Sequence, residues 1–465
     1  MALRFLSIED MEEYLHPFVD TDGTVKIIDR EGLKGEPIDR LVYNAVFHES
    51  HEQRGITRAL IKEIGIGLGV VSSSIQGLYE AMGSGEVKGF TVPAVNIRTL
   101  TYDTARAIFK TAIKNKSGAF LFEIAKSEIA YTFQEPAEYA AVIISAAIKE
   151  GWEGPVFIQG DHFQLNAKNF RADPEKEVDG VKALISKAID AGFYNIDIDS
   201  STLVDLDKKG IPAQQEDNYS QAANLTKYIR DLEPKGITVS VGGEIGEVGH
   251  KNSTVEELDA YMEGYLKLLP KGMKGISKMS VQTGTSHGGV PMPDGSVAKV
   301  ALDFDTLEAI SKRAIEKYKL SGAVQHGAST LPDELFHRFP ETRTSEIHLA
   351  TGFQNMIYDD GRLPSAMKEK IYGWLRDNCA SERKDGETEE QFIYKTRKKG
   401  FGPFKNELWT MPEDVRASIR GDLEAKFDFL FKKLGAVNNR DIVAKHVKLV
   451  AVKPDSAREI EAASV

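Results

Sequence analysis

From about residue 90 the chain alternates short runs rich in Val, Ile and Phe with longer segments whose apolar residues recur every three or four positions. The short runs are FTVPAVNI (90–97), GAFLFEIA (118–125), PVFIQGDH (155–162), NIDIDS (195–200), TVSVGGEI (238–245), ISKMSVQTG (276–284), SGAVQHGA (321–328) and SEIHLATG (345–352). Each has the length and residue types of a buried strand. Between the first two, Ala105, Ile108, Phe109, Ala112 and Ile113 fall at helical spacing, and the glycine of Ser117-Gly118 is placed to stop that helix. Comparable patterns predict helices over about 135–150, 177–191, 218–233 and 304–318.

Strands that alternate with helices pair in parallel, because each crossover must carry the chain back before the next strand begins. Eight such units predict an α/β fold, a (β/α)8 TIM barrel over residues 88–362, roughly 275 residues against about 250 for that fold. An open doubly wound sheet is the structural rival. No GxGxxG fingerprint follows a strand, however, and the glycines of 242–249 have the wrong spacing and enclose Glu244 and Glu247. Residues 1–87 are expected to form an N-terminal extension packed on the barrel, and 363–465 a mostly helical C-terminal extension. In the latter, Pro412 suits a first turn, Val415, Ile419, Leu423, Phe427 and Leu430 mark one face, and Gly435 can end the helix. That face needs a surface to cover, on its own barrel or on a second subunit of a homo-oligomer. The last dozen residues are expected to be a loose end.

Composition narrows the class. With 41% hydrophobic and 28% charged residues among 465, the chain has the material for a large core. Acidic residues outnumber basic ones, 70 to 59, so a net charge of −11 excludes the phosphate backbone of nucleic acid as the main partner. The acidic start, MALRFLSIEDMEEYL, is unlike a signal peptide, and no apolar run reaches the ~18 residues a membrane span requires. A cytoplasmic protein without membrane contact is expected. Cys379, the single cysteine, cannot form an intrachain disulfide, so any metal must be held by His, Asp or Glu.

In a barrel of this type, side chains at the carboxyl ends of the strands converge on one mouth. Those positions carry Asn96 on strand one, Asp161 and His162 on strand three, Asp199 with Ser200 and Ser201 on strand four, and Glu244 on strand five. Ser286 and His287 follow strand six, His326 ends strand seven, and His348 and Thr351 belong to strand eight. Four of the ten histidines fall in this set. A lone histidine at a strand end is more often structural than a ligand. Three converging from strands three, six and seven suit Zn²⁺ with one position left open, the arrangement of a catalytic site. Asp161 can serve as a partner of the metal ligands or as a mouth carboxylate, and Glu244 as a further ligand or the partner of a cation. The turns TSHGG (285–289) and QHGAST (325–330) let backbone approach a ligand, as in the phosphate-binding late loops of such barrels. Lys126, near the end of strand two, is the barrel lysine to check for the competing Schiff-base strategy.

Taken in order, VPAVNI with Asn96, the pair Asp161-His162, the IDSS run at Asp199, GGEIGEVG with Glu244, SHGG with His287 and HGAS with His326 resemble the class II, metal-dependent ketose-bisphosphate aldolases. That group includes fructose- and tagatose-bisphosphate aldolases. The resemblance covers about 90–355 and neither flank. It implies that His162, His287 and His326 hold Zn²⁺ with Glu244 as an alternative contact, and that Asp161 handles the proton on the acceptor oxygen. It further implies that Asp199 lies near the metal pocket, and that Gly288, Gly327, Ser329 and Thr351 cradle the phosphate of dihydroxyacetone phosphate. Asn96 and His348 are expected on the substrate side.

The chain also departs from that pattern. After the strand-five glutamate it reads GEVGHKNS, without the usual paired acids, so either Glu247 or His250 substitutes as the proton donor to the enediolate or the proton step differs. On strand eight, His348 and Ala350 stand where the family usually has Asn and Asp. The expected activity is reversible cleavage of a ketose (bis)phosphate, by default fructose 1,6-bisphosphate, to dihydroxyacetone phosphate and an aldehyde. The alternatives are an aldolase for another sugar phosphate, a metal-dependent hydrolase, and a non-catalytic barrel that binds sugar phosphate or supports a partner aldolase.

Overall fold

The computed structural model describes residues 4–21, 23–246, 251–284, 302–359 and 361–464. Eight strands line up in chain order: β1 (Val92–Asn96), β2 (Leu121–Ala125), β3 (Gly154–Gln164), β4 (Asn195–Asp199), β5 (Ser240–Gly246), β6 (Lys278–Val281), β7 (Ala323–Gln325) and β8 (Glu346–Leu349). Every neighbouring pair is parallel, and β8 pairs back onto β1 from Glu346↔Val92 to Leu349↔Val95. That pairing closes the barrel and removes the open-sheet rival. One further strand, Val70–Ser72, adds to the start of β3 outside the ring.

The crossovers are α1 (Thr101–Asn115), α2 (Pro136–Glu150), α3 (Pro174–Ala191), α4 (Glu216–Leu232), α5 (Val255–Leu268) and α6 (Phe304–Tyr318), and α7 (Thr351–Asp359) follows β8. α5 is not among the helices predicted above. Its buried stripe of Leu258, Tyr261, Met262 and Tyr265 has helical spacing but little aliphatic content. The local signal is its capping box, Thr254 with Glu257. The stop of α1 also differs: Lys116 takes the left-handed conformation (φ 50°), while Gly118 packs where a Cβ would lie 2.9 Å from Arg440 Cα.

Both flanks cover the barrel. Helices Glu36–Phe47 and His51–Gly67 pack on α2. Helix Gln76–Ser84 sends Tyr79 to donate to Glu346 at the start of β8. Ile75, just before that helix, and its Leu78 and Met82 form a second apolar cluster with Val92, Leu121 and Phe157 from the barrel. The amphipathic stretch near the C-terminus forms α8 (Glu413–Lys433), which buries Ile419, Leu423, Phe427 and Leu430. It lies along α1 of its own barrel, where Arg416 and Arg420 reach Asp103 and Asn115 Nδ2 donates to Asp428. The terminal residues are no loose end. Ser456–Ala463 is a helix laid on His51–Gly67, so close that a Cβ on Gly55 would sit 2.4 Å from Ile460 Cα. Among the described residues no helix is long and apolar enough to cross a membrane.

Candidate active site

Successive side chains on a regular strand face opposite ways, yet Asp161 and His162 both line the barrel mouth. An irregularity in β3 makes this possible: its pairing with β4 shifts register between Gly160 and Phe163, and His162 adopts a left-handed backbone (φ 42°). Such a bulge re-aims a side chain that would otherwise point away.

His162, Glu244 and His326 present ligand atoms that all lie within 4.8 Å of one another. His162 Nδ1 stands 2.9 Å from Asp199 Oδ2 and 3.1 Å from Glu244 Oε2, and its Nε2 faces His326 Nδ1 at 2.9 Å. His326 Nε2 is in turn 3.0 Å from Ser280 Oγ. If each outer nitrogen donates its N–H, to Asp199 and to Ser280, the two inner nitrogens meet lone pair to lone pair. Only a proton or a cation between them reconciles that contact, and two imidazoles with a carboxylate beside them are a donor set suited to zinc. Burial, followed by the charge of Asp199, pushes the Glu244 carboxyl up to about 7, which marks the crowding of negative charge here.

Asp161 is buried beside this group. Its Oδ2 accepts from the Asn96 amide at 2.9 Å, and its Oδ1 lies 3.2 Å from His348 Nδ1. Burial alone would raise its pKa, but the adjacent His162 and His348 hold it well below the ordinary carboxylate range. These neighbours favour its charged form. The His348 ring lies beside that of His326, centroids 4.0 Å apart and planes tilted by 51°, and its Nε2 contacts Glu346 Oε1 at 2.6 Å. These contacts place His348 in a buried ionic cluster at the base of the cavity that it also lines.

Gly327 takes a left-handed φ of 68°, and Ser329 Oγ accepts the N–H of Gly352, next to Thr351. Asn96, Asp161, His162, His326, Gly327, Ser329, His348 and Thr351 thus share one cavity of about 550 Å³. Asp199 and Glu244 adjoin it through His162. Five residues singled out above, Glu247, His250, Ser286, His287 and Gly288, lie outside the described residues. Lys126 sits at the rim with its Nζ on the Gln164 carbonyl (2.9 Å) and near Glu177.

Sequence reasoning missed several groups in the cavity. Arg98 and Glu128 line it, and so does Lys398, brought in by the C-terminal flank. Glu128 had a local signal, three residues beyond the end of β2 at a helix start, where its carboxylate accepts the Ala125 N–H. Lys398, some 40 residues past α7, had none.

The sequence model of the family described as fructose-bisphosphate aldolase class-II matches residues 78–398. No curated protein sequence matches the chain. Among solved structures, a probable tagatose 6 phosphate kinase from Sinorhizobium meliloti is 14% identical with a TM-score of 0.51, covering 80% of this chain and 97% of that one. Fructose-bisphosphate aldolase from Campylobacter jejuni is 17% identical with a TM-score of 0.47, covering 80% and 97%. The YdjI aldolase of Escherichia coli K12 is 12% identical with a TM-score of 0.44, covering 78% and 98%. At such identities structural likeness speaks for the fold alone, and here only the first of the three carries that argument.

Proposed function

This chain belongs to the class II fructose-bisphosphate aldolase family, and from that premise we propose that it reversibly cleaves a ketose (bis)phosphate to dihydroxyacetone phosphate and an aldehyde. Fructose 1,6-bisphosphate is the default substrate. The observation that carries the proposal is the His162–Glu244–His326 group beside buried Asp161. His162, His326 and Glu244 would hold Zn²⁺, with His287 as a further candidate ligand. Bound there, Zn²⁺ would act as a Lewis acid that stabilises negative charge on the donor oxygens.

The chain's own residues would do the rest. Asp161 takes the proton from the C4 hydroxyl as the C3–C4 bond breaks, and returns it during condensation. Asn96 and His348 fix its two oxygens, so the carboxylate need not reorganise as it reacts. Asp199 orients His162 through Nδ1. Glu247 and His250 are our candidates for delivering a proton to the enediolate carbon, and Gly288, Gly327, Ser329 and Thr351 for cradling the phosphate. His348 and Ala350, in place of the family's usual Asn and Asp, favour a ketose phosphate other than fructose 1,6-bisphosphate as the alternative.

The test is purified, zinc-loaded protein assayed against a panel of ketose phosphates with dihydroxyacetone phosphate as the detected product. Chelation should abolish turnover and Zn²⁺ should restore it; activity that survives complete metal removal would overturn the reading. Asp161→Asn should keep its zinc and lose roughly 10²- to 10⁴-fold in kcat. Unchanged turnover in that variant would remove Asp161 from the mechanism.

A further inference from the structure

The cations on the strand-eight side of the cavity have no part in the mechanism above. Arg98 lies two residues past β1. Its Nε donates to Glu128 Oε1 (2.6 Å), and its Nη1 donates to Thr351 Oγ1 (3.1 Å) and Gln354 Oε1 (3.0 Å). The other Glu128 oxygen accepts from the Asn96 amide (2.8 Å) and the Ala125 N–H (2.9 Å). The carboxylate is thus fully engaged, and by holding the Nε edge it turns the Nη edge of the guanidinium toward Thr351. Thr351 is continuous with Ser329 through the Gly352 N–H, and Gly327, Ser329 and Thr351 line the cavity together.

Charge on this side is unbalanced. Half-buried Lys398 lines the same cavity and has no carboxylate at ion-pair distance among the described residues, its ammonium facing the Tyr131 ring at 5.6 Å. Burial and then the neighbouring Arg98 lower its pKa. Among the described residues Arg98 has one ion-pair partner, Glu128, and Lys398 has none. Ala350, at the same wall, offers no polar side chain.

Resting on the aldolase reading, we propose that Arg98 binds the anionic group of the donor fragment, a phosphomonoester, with Glu128 as the positioning residue that aims it. With Nε held by Glu128 and Nη1 by Thr351 and Gln354, the two N–H groups of Nη2 are left to meet anion oxygens, and a guanidinium held in this way loses little freedom on binding. Because Glu128 also holds Asn96, the anion site and the donor to Asp161 hang from one carboxylate.

The experiment uses inorganic phosphate as the probe on zinc-loaded full-length protein, by calorimetry, alongside steady-state kinetics on the best ketose phosphate. Arg98→Ala should weaken phosphate binding roughly 10- to 100-fold with zinc content unchanged. Arg98→Lys should recover part of that loss, since it restores the charge without the guanidinium. Glu128→Gln should raise KM more than it lowers kcat. Wild-type protein that does not bind phosphate, or phosphate affinity unchanged in Arg98→Ala, overturns the proposal. If Arg98→Ala does not fold, unchanged affinity in both Arg98→Lys and Glu128→Gln does the same. Loss of phosphate binding in a protein that cleaves no ketose phosphate would sink the aldolase reading and leave this assignment standing; intact cleavage with unchanged affinity would do the reverse.

Discussion

Two clusters of charge sit in the same barrel, one along its axis and one on its outer face. Inside, Lys278 Nζ lies 2.5 Å from Glu346 Oε1, 2.7 Å from Gln159 Oε1 and 3.0 Å from Asp197 Oδ2, all of them buried. Outside, Arg313 of α6 holds Asp259 of α5 with Nε 2.9 Å from Oδ1. Tyr318 donates to the same oxygen at 2.6 Å, and Lys317 Nζ stands 3.3 Å away. The distances match and the surroundings do not: Lys278 is 1% exposed at its side chain, Arg313 40%. Barrel interiors of this kind are usually layered with branched apolar side chains. Here Gly242 makes room for charge, since a Cβ at that position would lie 2.2 Å from Asp197 Oδ1. Burial lifts the Asp197 carboxyl to about 6 despite Lys278, whereas Glu346, also buried, is held below the ordinary range by Lys278 and His348. Through His348 the inner cluster reaches the Asp161 carboxylate, so it touches the cavity as well as filling the axis. The outer cluster ties α5 to α6 and is partly open to solvent at Arg313 and Lys317. Equal geometry therefore predicts unequal consequences, set by what each charge would face if its partner were removed.

The largest effect expected is that of Lys278→Met, which leaves buried Glu346 and Asp197 with His348 alone to offset their charge. Removal of one partner of a buried pair costs roughly 3–5 kcal/mol, read as a fall in the urea midpoint at pH 7. Adding Glu346→Gln should recover a large part of the loss, because the uncompensated charge goes with it. A wild-type midpoint in Lys278→Met would erase the distinction between inside and outside.

A smaller change to the same cluster isolates one hydrogen bond. Tyr79 reaches Glu346 from the N-terminal flank and is fully buried. Tyr79→Phe keeps the ring and leaves the carboxylate with one donor fewer, which should cost about 1–3 kcal/mol. An unchanged midpoint would mean that the flank packs on the barrel without taking part in its charge balance.

What the sequence could disclose follows the same division. The eight strands were legible because apolar runs and their spacing are local, and Asp161, His162 and His326 because strand ends are predictable once strands are. The α8 face was legible as a stripe, whereas the surface beneath it, α1, required the fold. The inner cluster was invisible: Lys278 sits within ISKMSVQTG as one of 59 basic residues, and its partners lie on β3, β4 and β8. Glu123 and Glu346 read as ordinary strand acids until closure of the barrel brings them to the axis. Ser456–Ala463 was missed because its docked side, Glu459 and Ala463 against the helix bearing Gly55, carries no apolar stripe. The irregularity that turns both Asp161 and His162 to the mouth leaves no mark in composition.

The smallest expected effect belongs to the outer cluster. The Arg313 hydrogen bond, with help from Tyr318 and Lys317, lowers the Asp259 pKa to about 2, against about 3.9 for an unfolded aspartate. A depressed carboxylate contributes stability that is present above the unfolded value and is lost as pH falls through the folded one. The contribution should thus fade between about pH 4 and pH 2. Solvent reaches Arg313 and Lys317, and exposed pairs are worth about 0–1 kcal/mol, so Asp259→Asn should lower stability at pH 7 by no more than that. The difference between wild type and variant, followed by denaturant unfolding from pH 6 downward, should be flat to about pH 4 and then close. A loss near that of Lys278→Met would show that three side chains held together on a surface behave as a buried network, and that burial alone does not separate the two clusters.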